Sequence, residues 1–224
     1  LMLFPHSFVS FFVSSYSSFV FKYNLCALPS IYLKKKYNPI KITTVAKLTL
    51  RFNLIKIIGN KIKTGINIIA DDPKTVGADL ICDVAGAAKI YDEALIIDLG
   101  TASKFIYYKN NTMLGVSIAP GVAISMKTLV SSTALLPNFE LVAPNKVLNG
   151  STIPCMQSGV IFGFASLVDG MIKKIKKELN NPSLKVIATG GLTTLISSYC
   201  EEKIDIIDKL LTLKGILNIY NKNI

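Results

Sequence analysis

Histidine is nearly missing from this 224-residue chain: His6 stands alone, in an apolar N-terminal stretch. Serine–histidine and cysteine–histidine mechanisms, and a histidine-rich metal site, are therefore not expected. Cysteine is scarce too. Cys26, Cys82, Cys155 and Cys200 lie far apart with no CxxC pair, which points away from zinc and from a disulfide framework and toward a reducing, cytoplasmic setting. Acidic residues are absent from the front third. Residues 1–70 hold ten Lys or Arg and no Asp or Glu, so all but one unit of the formal net charge of +11 sits there; from Asp71 onward fifteen Lys face fourteen acids. The front lysines are interleaved with Ile, Leu and Thr rather than clustered, and no nucleic-acid partner is expected. Charge is also lacking from Leu1 to Phe21, a stretch long enough to span a bilayer. Pro5, His6 and many serines interrupt it, and no basic n-region or small-residue cleavage site accompanies it, so a membrane anchor is not the expectation.

What is present is a chain half apolar, enough for one large domain or two small ones. Three zones are legible. Residues 1–38 are apolar and serine-rich without a period. Residues 39–70 read as short strands, Ile40–Val45 and Gly65–Ile69. From 71 the pattern is orderly: a loop marked by Pro73 and Gly77, a helix over 78–91, a strand over 94–99, a turn, and strands over 103–108 and 112–119 joined at Lys109-Asn110-Asn111. A helix is expected over 122–135 and a Pro/Asn/Gly-rich connection over 137–157. A long amphipathic helix follows, with Ile161, Phe164, Val168, Met171, Ile175 and Leu179 on one stripe and Lys173, Lys174, Lys176 and Lys177 on a solvated face. Lys185–Ala188 reads as a strand running into Thr189-Gly190-Gly191 and a helix, and Ile204–Tyr220 as a strand-to-helix element.

Two Gly/Asp loops carry the chemistry. Val76-Gly77-Ala78-Asp79 opens a helix, and Asp98-Leu99-Gly100-Thr101-Ala102 leaves a buried strand nineteen residues after Asp79. A carboxylate beside backbone N–H groups and a hydroxyl suits phosphate oxygens and their accompanying cations, and a second carboxylate nearby is a candidate general base. Taken singly, Asp79 would serve equally as a helix cap and Asp98 as a cap of its own turn. The element order, three strands then helices, strand and helix, is that of one lobe of an α/β, RNase H-like, actin-like (ASKHA) kinase fold.

From Thr64 to Tyr220 the chain resembles the type III pantothenate kinase family. The resemblance rests on Thr64-Gly-Ile, Asp72-Pro-Lys-Thr-Val-Gly-Ala-Asp79, Ile97-Asp-Leu-Gly-Thr-Ala102, Ile118-Ala-Pro-Gly121, Thr133-Ala-Leu-Leu-Pro137, Gly150-Ser-Thr152, Gln157-Ser-Gly159, Ala188-Thr-Gly-Gly191 and Leu211-Thr-Leu-Lys-Gly215, nine segments in order. It implies ATP-dependent phosphorylation of pantothenate to 4'-phosphopantothenate, the first step of coenzyme A synthesis, by a homodimer using magnesium and potassium or ammonium. By the same resemblance Asp79 is the proton acceptor, and Gly77, Ala78, Asp79 and Leu80 cradle pantothenate. Thr101 contacts ATP, Asp98 binds the monovalent cation, and Thr152 closes over the substrate across the dimer interface. Two lobes are implied, a first one reduced to residues 39–93 and a second over 94–224, with the status of 1–38 open.

The chain departs from the family pattern at four places. The opening Asp-x-Gly-Asn-Thr loop, which holds ATP phosphates and the divalent ion, has no counterpart in a stretch without acids. Leu80 stands where the pattern has Arg, Ala70 where an aromatic residue usually stands, and Lys104 where a small hydroxyl or apolar residue is usual. A guanidinium that grips an anion in a bidentate way is not replaced by leucine. The alternative expectation is a non-catalytic homologue that serves as a binding or regulatory partner.

Overall fold

A computed structural model describes residues 62–133 and 135–223. The expected strand Ile40–Val45 and the apolar segment 1–38 lie outside the described residues. The elements are β1 (Asn67–Ile68), a 3-10 turn (Pro73–Thr75), α1 (Ala78–Ala87), β2 (Glu93–Leu99), β3 (Ala102–Lys109), β4 (Thr112–Pro120) and α2 (Val122–Ser131). There follow α3 (Thr152–Glu178), β5 (Val186–Thr189), α4 (Thr193–Ser197), β6 (Ile206–Ile207) and α5 (Leu211–Asn221).

The strands form one sheet in the order β1-β4-β3-β2-β5-β6. β2, β3 and β4 are an antiparallel meander, while β5 and β6 continue parallel from β2. Leaving aside the two-residue β1, this is the RNase H-like sheet, a meander whose first strand is central and carries two parallel strands on its other side. The fold expected from the sequence is thus present, and all five strands of that order lie within residues 93–207.

Local chemistry explains the framework. β2 is apolar on both faces because helices cover both: Ala94, Leu95, Ile96 and Ile97 are wholly buried. The β3–β4 hairpin turns on Asn110 and Asn111, both at positive φ (48° and 57°), a two-residue turn that Asn tolerates. One sheet face packs Leu95, Ile97, Leu99 and Phe105 against Val160, Ile161, Val168 and Ile172 of α3. The expected α3 stripe is therefore the core seam, and Lys173, Lys174 and Lys177 point to solvent while Lys176 pairs with Glu202 at 3.2 Å. Among the described residues α3 alone is long and apolar enough to cross a bilayer, and this packing accounts for its apolarity.

Several boundaries differ from expectation. α3 begins at Thr152, inside the expected 137–157 connection, because Pro154 falls in the first turn, where a missing N–H breaks no helical bond. α1 stops at Ala87 rather than Tyr91; the Tyr91 carbonyl instead accepts from the buried Tyr108 hydroxyl at 2.9 Å. α2 ends at Ser131, four residues early, where the Thr133 hydroxyl turns back to the Leu129 carbonyl at 2.9 Å.

The motif Leu211–Gly215 gains a structural meaning from the packing of α5 on α1. Leu211 is fully buried, and a Cβ placed on Gly215 would lie 1.7 Å from the Cys82 carbonyl oxygen. Asn218 Nδ2 donates to the Ala85 carbonyl at 2.9 Å across the same seam. The two backbones meet too closely for any side chain at 215. Gly215→Ala is accordingly expected to destabilise the chain by about 2 kcal/mol or more, read as a lower urea midpoint. A midpoint equal to that of the parent chain would mean the helices separate at little cost.

Candidate active site

The site is assembled where the N-terminus of α1 meets the sheet beside the end of β2. Gly77 is the N-cap of α1 and Asp79 lies in its first turn, where a carboxylate is favoured by the helix dipole. Asp79 is thus an N-terminal acid of the helix rather than its cap. A Cβ on Gly77 would lie 2.4 Å from Asp79 Oδ1, so glycine leaves room for that oxygen. Asp98 is the sixth residue of β2, and its cross-strand partner in the β2–β3 register is Lys104. Directly opposed residues share a sheet face, and α1 brings Asp79 to the same point. Lys104 Nζ sits 2.6 Å from Asp79 Oδ2 and 2.5 Å from Asp98 Oδ2. One ammonium therefore joins the two carboxylates singled out by the sequence.

Exposure divides the three. The Asp79 side chain keeps 32% of its surface accessible, against 12% for Asp98 and 11% for Lys104. Burial pushes the Asp79 carboxyl up, but the Lys104 ammonium and the N–H groups of Leu80 and Asp79 outweigh it, leaving the pKa below the ordinary value. For Lys104 burial opposes the charge, and Asp98 and Asp79 together reverse that, raising the pKa. The result is a mostly enclosed cation held by two acidic side chains, with Asp79 the one open to a ligand.

A fourth member escaped the sequence reading. Asp83 lies one turn after Asp79 on α1 and is wholly buried. Its Oδ1 accepts from the Thr212 hydroxyl of α5 at 2.5 Å, and its Oδ2 has no partner among the described residues. Burial, then the nearby Asp98 charge, push its pKa up to about 8, so near neutrality it is largely a neutral acid. The four-residue spacing that puts Asp79 and Asp83 on one helix face is visible in the sequence; the contact with Thr212, 129 positions away, is not.

The other expected site residues fall as follows. Thr101 is in the turn between β2 and β3, where Gly121 packs so close that a Cβ there would lie 2.1 Å from the Thr101 carbonyl oxygen. Gly190, at φ +103°, presses in the same way on the Leu99 backbone, with a virtual Cβ 2.5 Å from its carbonyl oxygen. Thr189-Gly190-Gly191 is thereby a support for the Asp98 turn, and the Thr189 carbonyl is in turn bound by the Thr193 hydroxyl. Ala78 is half-buried, opening α1, while Leu80 is buried, 7% exposed, and offers no polar group to an anion. Thr152 is exposed at the start of α3; no hydrogen bond or ion pair among the described residues joins it to the acid–lysine cluster. A depression of about 250 Å³ lined by Met126, Lys127, Val130, Ser131, Asn138 and Phe139 shares no residue with the cluster.

Comparison with known proteins places the chain in a family. The family model described as Type III pantothenate kinase matches residues 38–174. The chain is 48% identical over 163 residues to a type III pantothenate kinase of Acholeplasma laidlawii (strain PG-8A), covering 72% of this chain and 64% of the relative. It is 44% identical over 170 residues to that of Halalkalibacterium halodurans (strain C-125), covering 75% and 66%. A third such relative, from Geobacillus sp. (strain WCH70), is 40% identical over 170 residues, covering 75% and 65%. The chain thus spans slightly less than two thirds of the length of these curated relatives.

The raised Asp83 pKa yields a test with a definite sign. A carboxyl whose folded pKa exceeds its unfolded value of 3.8 gives stability that is full below that value and is lost as pH rises through about 8. Asp83→Asn mimics the neutral acid at every pH. It is expected to match the parent chain near pH 4 and to exceed its stability by at least about 1 kcal/mol above pH 8, measured by denaturant melts across pH. Equal stability of the two chains at alkaline pH would show that Asp83 ionises freely in the fold.

Proposed function

The chain belongs to the type III pantothenate kinase family, and from that premise we propose that its site transfers the γ-phosphoryl group of ATP to the primary hydroxyl of pantothenate. The observation that carries the proposal is the meeting of Asp79 and Asp98 at one point, reached from separate elements, with Asp79 the more exposed. Phosphoryl transfer asks chiefly for positioning and charge neutralisation. In this reading Asp79, in the pantothenate-cradling segment Gly77–Leu80, accepts the hydroxyl proton as phosphate arrives. Thr101, in the turn after β2, faces ATP. Magnesium would accompany the nucleotide; the acids that the family resemblance assigns to it have no counterpart among residues 1–70, which hold no Asp or Glu. The same resemblance gives Asp98 a monovalent cation, potassium or ammonium.

The reading carries a homodimer and a cytoplasmic setting with it. Thr152 would act across the dimer interface, and the neighbouring Val147 and Leu148, 64% and 89% exposed, supply apolar surface of the kind a partner copy covers. A second reading, a homologue that binds without catalysing, is favoured by Leu80, whose buried apolar side chain cannot hold the pantothenate carboxylate.

The test is ATP-dependent phosphorylation of pantothenate by the purified chain with magnesium and potassium present. Asp79→Asn is expected to lower turnover by about 100-fold or more while shifting stability by less than about 1 kcal/mol, since Asp79 is partly exposed and the amide still accepts from Lys104. Turnover unchanged in that variant would remove Asp79 from the mechanism. A folded parent chain with no turnover, yet binding ATP or pantothenate, would support the second reading.

A further inference from the structure

Lys104 is the residue of the site that the proposed reaction leaves without a role, and it is also the most tightly engaged. It lies on a strand position that faces Asp98 across the sheet. Its stem is enclosed, the whole residue being 9% exposed. Its Nζ rests on one oxygen from each of the two carboxylates, at 2.5 and 2.6 Å. A free monovalent ion bound at Asp98 Oδ2 would compete for the space that the ammonium fills. The residues present do not fit such an ion.

We infer that the Lys104 ammonium is a tethered replacement for the monovalent cation at Asp98, so that this chain's site works without potassium or ammonium ion. This rests on the pantothenate kinase reading of Asp98. An alkylammonium carries the same single charge as potassium and a comparable radius, and it satisfies carboxylate oxygens by direct hydrogen bonds. Because it is joined to β3, it pays no translational cost on binding and holds its place at a high effective concentration. A dissolved ion competes poorly against such a group. Lys104 also fixes Asp79 relative to Asp98, which makes it a positioning residue: it acts through two carboxylates and on no substrate atom.

Thermal melting of the full chain in potassium chloride and in choline chloride, at equal ionic strength, separates this role from a merely structural ion pair. The parent chain is expected to melt within about 1 °C in the two salts, whereas Lys104→Ala is expected to melt about 3 °C or more higher in potassium. Asp79→Asn combined with Lys104→Ala removes one of the two facing charges and keeps Asp98, so it folds even where the single variant does not. The same potassium response is expected of it. A parent chain stabilised by potassium as strongly as the variants, or a double variant indifferent to potassium, overturns the inference. The measurement needs neither ATP nor pantothenate. A chain inactive toward pantothenate that shows the expected salt pattern loses the kinase reading and keeps the Lys104 assignment. An active chain whose turnover vanishes without potassium does the reverse.

Discussion

The ion triplet of Asp79, Lys104 and Asp98 ties the first turn of a helix to the end of a central strand and its cross-strand neighbour. Its components are demanding. Two acidic side chains on one nitrogen, with a third acid a helical turn away, would repel one another in a poorly hydrated setting if the cation were absent. Removing one partner of a buried pair leaves an uncompensated charge and costs several kcal/mol, whereas the intact pair contributes little net stability. The triplet therefore acts as a constraint on arrangement more than as a source of stability. α1 must approach the sheet at the height and angle that put Asp79 within reach of Lys104.

What enforces that approach lies on the other side of α1. Gly215 lets α5 come into backbone contact, Asn218 bonds the Ala85 carbonyl, and Thr212 holds Asp83. Asp83 is the point at which the two systems touch. An ionised Asp83 would add a second negative charge close to Asp98, and the enclosure by α5 avoids this by favouring the neutral acid. The charge balance at the ion triplet therefore depends on packing between two helices, one of which contributes no residue to the triplet itself. The backbone contacts of Gly121 and Gly190 on the Asp98–Thr101 turn do the same for the strand side.

Much of this was legible from local signals. Strands β2, β3 and β4 followed from apolar runs and the Asn110-Asn111 turn, and the α3 stripe from its helical period. The pairing of Asp79 with Asp98 followed from two Gly/Asp loops. Misreadings came where a local rule has a positional exception: Pro154 suggested a connection, although proline in a first turn is compatible with helix. Lys104 stood out as an odd residue after the Gly-Thr turn, but its meaning needed the strand register, since alternation alone does not say which residue faces Asp98. Asp83 carries no local signal of its burial, since a lone acid in a helical pattern fits a solvated face. Only the approach of α5, set by residues far along the chain, makes it a buried acid.

A base clamped by an ammonium looks at first like a base disabled, and the geometry answers this by dividing the oxygens of Asp79. Oδ2 is taken by Lys104 at 2.6 Å, while Oδ1 lies on the side of Gly77, the residue whose missing side chain keeps that space open. The pairing lowers the affinity of the carboxylate for a proton, which weakens it as a base in isolation. In phosphoryl transfer the demand on the base is slight, because the attacking hydroxyl becomes acidic only as its bond to phosphorus forms. Orientation then counts for more than basicity, and a carboxylate fixed at one oxygen is better oriented than a free one. Within the triplet the ammonium offsets the negative charge that Asp79 and Asp98 bring together. In the proposed reaction the ion triplet thus exchanges proton affinity for alignment and charge compensation, the two quantities on which this class of chemistry most depends.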